Sequence, residues 1–444
     1  MKILYTKSEI MNSFEKIIDD VLLHNSKIKP GNISEIIMTD LLGIGKMIFS
    51  LWFQNIIGTG YKRSKIFMKT DTGDHRVKIN MFKFNGLKTK NYLSRFGYIT
   101  LQRAYYCGSN GGYFPIEEEY PWLKDDFLPD VKEIACYVSM LEPYDLASDM
   151  LEKMNHIKIS PSSLQRITKQ TGAYFVENAD KNIEADIIDS REPEKKSDLL
   201  VVSIDGAHIH TKDDGWKEVR TGAVYEVKRM KDKKLHAINK SYHSKLESAE
   251  DSGKRLWMEA RRRNMHLASK IVVIGDGAKW IWKLQEKHFP NGIAIVDWYH
   301  AVEHLWKISE MIFGNRSSDD GKLFIEDCKT KLYIGAVSLL EERIRSGMNE
   351  MPLNRLKSLK NDLETEINYF KNNATKMNYK KFEEQNFPIG SGVIEGACKH
   401  VVQLRMKRNS MKWTISGAND MLQLRSLYFS NRWNEVTAYL EKVG

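Results

Sequence analysis

Apolar positions recur at helical spacing through the first part of the chain. Phe14, Ile17, Ile18, Val21 and Leu22 form one such stripe, and Ile36, Ile37, Leu41, Leu42 and Ile44 another. A helical N-terminal region over 1–75 is expected. From Val77 to Tyr106 the period shortens toward β-like runs, notably Tyr98-Ile-Thr-Leu-Gln-Arg-Ala-Tyr-Tyr106, and the turn-formers Gly108, Gly111 and Gly112 follow. A small β-containing region over 76–125 is the reading. Two helical patterns between Val131 and Gly172 flank a turn, and the second opens at Ser160-Pro-Ser-Ser163, with Ser160 as N-cap and Pro161 in the first turn. This pattern over 126–190 suits a DNA-binding helix-turn-helix and an ordinary helical hairpin alike.

Arg191-Glu-Pro-Glu-Lys-Lys-Ser197 is polar and broken by Pro193, which marks a linker. Strand candidates come next at Leu199–Ile204, Val219–Val227 and His236–His243. A helix over Gly253–Asn264, a strand at Lys270–Ile274, a helix near Trp280–His288 and a strand at Ile293–Val296 complete the series. Three strands, helix, strand, helix, strand is the order of an RNase H-like α/β core, a mixed sheet with flanking helices. The core is expected over 196–300. Long charged helical patterns over 301–385 predict an all-helical insertion, and 386–444 returns to the core.

The 444 residues exceed what one hydrophobic core holds, so several domains are expected. Lys and Arg number 68 against 58 Asp and Glu, a net charge of +10, which favours phosphate-rich partners without singling out nucleic acid. Cys107, Cys136, Cys328 and Cys398 lie far apart with no CxxC pair, which argues against a disulfide framework or a cysteine-built zinc site. There is no unbroken run of about 18 apolar residues, and Asp19, Asp20 and His24 interrupt the first hydrophobic stretch. A cytoplasmic protein with no membrane partner is expected.

Asp205 follows the apolar run Leu199–Ile204 and precedes Gly206, and Asp276 repeats this arrangement after Ile271-Val-Val-Ile-Gly275. Two adjacent strands ending in Asp would set two carboxylates on one edge of a sheet, which suits Mg²⁺ and phosphodiester chemistry. Alone, each Asp-Gly pair also fits a plain turn after a strand. In Pro388-Ile-Gly-Ser-Gly-Val-Ile-Glu-Gly-Ala-Cys-Lys399 a glycine-rich turn opens a helix bearing Glu395, with Lys399 one turn on as a simple ion-pair alternative. Lys399, Arg405, Lys407, Arg408 and Lys412, with Trp413 interleaved and Arg425 beyond, suit a phosphate backbone or merely a solvated basic face. His300-Ala-Val-Glu-His304 also spells an inverted zinc-peptidase motif, although that reading leaves Asp205, Asp276 and the basic segment without a role.

Asp205-Gly-Ala-His, Gly275-Asp-Gly-Ala-Lys-Trp-Ile-Trp282, Asp297-Trp-Tyr-His-Ala-Val-Glu-His304 and Gly390-Ser-Gly-Val-Ile-Glu395 resemble the Lre-type and related Kra-type insertion-sequence transposases. The likeness extends through Arg405-Met-Lys-Arg408 and Met411-Lys-Trp413. It implies an RNase H-like fold and a DDE triad of Asp205, Asp276 and Glu395 holding Mg²⁺, with Mn²⁺ as a substitute. It also implies auxiliary roles for Asp297 and His300, element ends and target DNA as partners, a homo-oligomer in synapsis, and a place at the bacterial nucleoid. Cys107 lacks the partner cysteine that a zinc knuckle would need. A DNA-binding regulator that no longer cuts, and a nuclease that cuts without joining, are the alternatives.

Overall fold

The computed structural model describes residues 5–23, 30–71, 77–109, 111–184, 197–231, 234–315 and 318–443. Of the linker expected at 191–197, residues 191–196 lie outside them. The chain divides into two compact units, Met1–Thr171 with Trp433–Gly444, and Gly172–Arg432.

The first unit opens with helices α1 (Lys7–Leu23) and α2 (Pro30–Ile57). The helical expectation overran: Gly58 and Gly60 adopt positive φ, which ends α2 in the manner of a glycine C-terminal stop, and β1 (Lys65–Asp71) begins where helix was expected. Within α2, Ile33–Ile57 is long and apolar enough to cross a membrane, the one such helix among the described residues. No unbroken apolar run signals it, because polar residues are spread thinly along it.

β2 (Val77–Ser94) and β3 (Gly97–Gly108) are long strands rather than short runs, and with β4 (Gly111–Tyr113) they complete an antiparallel sheet ordered β1-β2-β3-β4. A register shift between Phe84 and Leu87, where Gly86 takes positive φ, lets β2 continue through an irregularity. Phe53 and Ile57 of α2 pack on Tyr92, Ile99 and Leu101 of this sheet. A short helix α3 (Ile116–Glu119) precedes three longer ones, α4 (Pro129–Leu141), α5 (Tyr144–Asn155) and α6 (Pro161–Glu184). Three helices stand where two were expected, because Pro143 forces Glu142 into extended backbone and splits the first pattern. Ser160 caps α6 as its sequence suggests, its Oγ accepting from the Ser163 N–H at 3.2 Å.

The second unit is built on a five-stranded mixed sheet. β5 (Leu199–Thr211), β6 (Gly215–Arg229) and β7 (Leu235–Lys245) form an antiparallel meander, helix α7 (Ala249–Arg262) follows, and β8 (Lys270–Gly275) returns parallel to β5. Helix α8 (Lys279–His288) then leads to β9 (Ile293–Val296), parallel to β8, giving the order β7-β6-β5-β8-β9. Leu200, Val201, Val202 and Ile204 are all fully buried, so β5 reads as a continuous apolar run with both faces covered. Leu256 of α7 closes over Gly222 on one face, where a Cβ would come within 2.6 Å.

From β9 to Glu384 the described chain is helical: α9 (Trp298–Phe313), α10 (Asp319–Tyr333), α11 (Val337–Asn349), α12 (Leu353–Asn373) and α13 (Tyr379–Glu384). A turn leads into α14 (Gly392–Ala397), a π-helical segment Cys398–Gln403, and the short α15 (Leu404–Met406). Helix α16 (Ile415–Phe429) packs on β7, where Asn419 Oδ1 accepts from Leu246 N–H and Ser430 Oγ from Tyr242 N–H, both at 2.8 Å. The last helix, α17 (Trp433–Val443), was expected with the core but belongs to the first unit. Trp433 stacks edge-on against Tyr137 and its indole N–H donates to Glu133, a pairing across 300 residues that local pattern cannot show.

Candidate active site

Three aspartates occupy one row where the parallel pairing ends: Asp276 and Asp297 directly follow β8 and β9, whereas Asp205, expected at a strand's end, lies inside β5 because the strand runs on to Thr211 in its pairing with β6. The register between β5 and β8 offsets the chain by 71 residues, Ser203 facing Ile274, and Asp205 and Asp276 are separated by the same number. The register between β8 and β9 offsets it by 21, Gly275 facing Val296, which is also the separation of Asp276 and Asp297. Neighbouring strands lie about 4.8 Å apart, so the three side chains start from adjacent backbone positions. The Asp297 N–H, donating to Gly275 O at 2.8 Å, carries the ladder to this row.

Each carboxylate is held by local donors. Asp205 Oδ1 accepts from the adjacent Gly206 N–H at 2.7 Å within β5, whereas Asp276 Oδ1 accepts from Ala278 N–H at 2.8 Å, the Asx geometry of a turn after β8. Asp297 is fully buried and caps α9, its Oδ1 accepting from His300 N–H at 2.7 Å, while its Oδ2 accepts from Ser391 N–H. Asp297 thereby ties the end of β9 to the turn before α14, and Trp298 N–H adds a bond to Ile389 O at 2.9 Å.

Glu395 stands exposed on α14, with Ser391 Oγ donating to its Oε1 at 3.3 Å. Ligand atoms of Asp297, His300 and Glu395 lie within 4.8 Å of one another, a grouping that Asp205 and Asp276 do not join. The structure therefore groups Glu395 with the auxiliary pair and not with Asp205 and Asp276, the two other expected triad members. Cys398, one turn beyond Glu395, donates its thiol to Asp205 Oδ2 at 3.6 Å and links the acidic helix to β5. Among the described residues no ion pair joins Glu395 to Lys399, since the backbone turns π-helical at Cys398.

Burial, then the charge of Asp276, raises the pKa of Asp205, against the pull of the Gly206 N–H and His300. Burial acts the same way on Asp297, but hydrogen bonds from His300 and Ser391 outweigh it and hold that carboxyl below its ordinary value. His300 is pushed up to about 9, chiefly by its hydrogen bond to Asp297 and further by the charges of Asp297, Asp205 and Asp276. The raised value favours a protonated imidazole at neutral pH, which would balance the negative charge of the row. Asp205, Asp276 and Glu395 offer carboxylate oxygens, the donor type that Mg²⁺ or Mn²⁺ takes, but the metal-sized cluster among the described residues is Asp297, His300 and Glu395.

The helical segment after β9 reaches back to this row. Tyr369 of α12 donates to Asp276 O at 2.8 Å, and Asn373 accepts from the Trp282 indole N–H at 2.7 Å while its own amide donates to Gly277 O at 3.3 Å. His304 stacks on Tyr369 with ring centroids 3.7 Å apart and is hydrogen-bonded to Glu366. The two histidines of the zinc-like motif thus take unrelated partners. Tyr369, Asn373, Ser391 and Cys398 were missed by sequence reasoning. Only Cys398 and Ser391 had a local signal, since both lie within one helical turn of Glu395.

Lys399, Lys407 and Lys412 are exposed and Arg408 is half-buried, whereas Arg405 and Trp413 are buried. Arg405 sits 5.1 Å over the Trp413 ring, and Arg425, also buried, donates to Val401 O at 2.6 Å. These three brace the backbone of the basic segment and offer little surface to a phosphate.

A mixed α/β protein with a three-strand acidic row at a sheet edge is the class these observations define. The chain belongs to the uncharacterised protein family UPF0236, whose sequence model matches residues 72–441. No curated protein sequence matches it.

Proposed function

We propose that this chain is a DDE-type transposase that cleaves and joins DNA strands at the ends of an insertion sequence, with Asp205, Asp276 and Glu395 as its catalytic carboxylates. The observation that carries the reading is the in-register row of Asp205, Asp276 and Asp297 beside the helix of Glu395. The strand order, with an antiparallel meander at one side and parallel strands at the other, supports an RNase H-like core. The exposed cations Lys399, Lys407 and Lys412, with the net positive charge, support a polyanionic substrate.

Two divalent ions, when bound, would activate the attacking oxygen and stabilise the leaving oxygen. Asp205, Asp276 and Glu395 would hold them, Asp297 fixes the turn that presents Glu395, and His300 balances the negative charge of the row. Lys399 and its neighbours orient the phosphate backbone. Water is the first nucleophile and breaks the P–O3′ bond at the element end, leaving a 3′-hydroxyl and a 5′-phosphate; that 3′-hydroxyl then attacks a target phosphodiester, whose own 3′-oxygen departs.

The test incubates purified protein with labelled DNA carrying the gene's own flanking ends, with Mg²⁺ or Mn²⁺, and compares wild type with Asp276→Asn. Joined products lost in the variant support a transposase. Cleavage without joining points to a nuclease, and metal-independent binding without cutting to a regulator.

A further inference from the structure

The β5–β6 hairpin continues well past the acidic row. Its ladder runs on from Asp205↔Thr221 to Thr211↔Gly215, whereas the pairing of β5 with β8 stops at Ser203↔Ile274. The freed edge of β5 is taken up by the basic segment: Thr211 bridges Trp413 in parallel, Lys212 N–H donates to Trp413 O at 2.9 Å, and Trp413 N–H donates to His210 O at 3.1 Å. The indole N–H of Trp413 donates to Met406 O at 3.0 Å, which fastens the two halves of that segment to each other. The projecting tip is therefore a braced element.

On this tip Trp216 is 62% exposed. A tryptophan left so open on a rigid element is unusual, because burying it is among the largest stabilising gains a side chain offers. Its ring is fixed in place by an edge-on contact with His210, centroids 5.3 Å apart, and by Lys407 Nζ at 5.6 Å from the centroid. Lys212, Lys217, Lys407 and Lys412 are exposed around it. Against them stand Asp213 and Asp214 in the turn, the latter 3.7 Å from Lys217, so the tip stays net positive. An aromatic face ringed by cations is the pairing that binds single-stranded nucleic acid: bases stack on the ring and lysines follow the phosphates.

We infer that the hairpin tip is a binding site for unpaired DNA, with Trp216 as the stacking platform and Lys407 and Lys412 as phosphate contacts. The inference rests on the nucleic-acid reading given above and adds to it the kind of DNA that this surface takes. Trp216 lies across from His210, five residues beyond Asp205, which is about 17 Å along the strand and about five nucleotide rises from the acidic row. Unpaired bases at that distance belong to a DNA end opened beside the cutting site.

The full-length protein is titrated, in EDTA, into a fluorescein-labelled single-stranded oligonucleotide and into the matching duplex, and binding is followed by anisotropy. Trp216→Ala is expected to weaken single-strand binding roughly five- to one-hundred-fold, the range expected for one stacked base. Duplex binding should change less than about twofold, and Trp216→Phe should keep most of the single-strand affinity. Lys407→Ala is expected to weaken both and to lower the salt slope by about one. Because Trp216 is exposed, its loss leaves the fold intact. Wild-type binding to both probes with Trp216→Ala unchanged, or weakened equally on both, would overturn this inference alone. A wild-type chain that binds neither probe would overturn the nucleic-acid reading as well.

Discussion

Tyr369 donates its phenolic O–H to the main-chain carbonyl of Asp276 at 2.8 Å, although 93 residues separate them. The same ring lies where a Cβ on Gly277 would fall, 2.6 Å from it, and Gly277 has a φ of +98° that L side chains rarely adopt. The turn after β8 is thus shaped by its glycine and clamped from outside by α12. Burial and the charges of Asp276, Asp297 and Glu366 push the Tyr369 hydroxyl pKa upward, so it stays a donor at any working pH.

Tyr369→Phe removes that one hydrogen bond, worth about 1 kcal/mol, and leaves the packing in place. Metal-dependent cleavage is expected to fall roughly tenfold through a looser Asp276, with DNA affinity unchanged. Gly277→Ala should do more, since it combines backbone strain of about 1–3 kcal/mol with the clash against Tyr369. Single-turnover cleavage and binding, measured side by side on both variants, check this. Equal loss of binding would show that α12 supports the whole unit rather than this turn.

Asp297→Ala leaves the buried N–H of Ser391 without its acceptor, costing about 1–3 kcal/mol, and removes the N-cap acceptor of the part-buried His300 N–H. Asp297→Asn retains one acceptor oxygen and should fold. It is expected to cut more slowly than wild type and to melt at a higher temperature than Asp297→Ala, read by cleavage rate and thermal midpoint. Wild-type cleavage by Asp297→Asn would reduce Asp297 to an N-cap of α9.

The strands of the second unit were legible because each buried stretch is short, apolar and bounded by charge or glycine. Ile293–Val296 was read with the same ends it has in the structure, and the run at Leu199–Ile204 marked only the buried half of β5. The outer half, Asp205–Thr211, mixes histidines with alternating burial and carries no comparable signal. Asp205 and Asp276 stood out as strand-end carboxylates, but their shared row depends on strand register, which spacing suggests only once the pairing is known. Arg405 was read as surface because its charge fits a basic face. The structure buries it against Trp413, a contact between side chains eight residues apart that helical periodicity does not anticipate. Tyr369 and Asn373 had no signal, since nothing local ties a helix in the charged segment to the turn after β8.

Glu247 anchors a buried ion network away from the acidic row, pairing with His243 at 2.7 Å and with Arg255 at 2.6 Å. Burial acts to raise its pKa, but the charges and hydrogen bonds of His243 and Arg255 prevail and lower it from 4.5 to about 2. Because the folded value lies below the unfolded one, the stabilisation is complete above about pH 4.5 and is lost as pH falls through about 2. It amounts to about 3 kcal/mol, and Glu247→Gln should forfeit it. Melting midpoints of the two proteins should differ most at pH 5–7 and converge toward about pH 2–3. A gap that does not change with pH would mean that shape, rather than charge, is what the carboxylate contributes.

Cys107 is exposed, while Cys136, Cys328 and Cys398 are buried and free. Burial pushes the Cys136 and Cys328 thiols up to about 12, and burial with the charge of Asp205 raises Cys398 further. Thiolate, not thiol, attacks an alkylating reagent, so both burial and protonation protect these three. A brief maleimide pulse at neutral pH should label Cys107 alone, and the rest should react only after denaturation, as peptide mass spectrometry would read. Early labelling of Cys398 in the native protein would mean that the contact between the acidic helix and β5 opens readily. The Cys398–Asp205 hydrogen bond would then not be holding Glu395 against the row in solution.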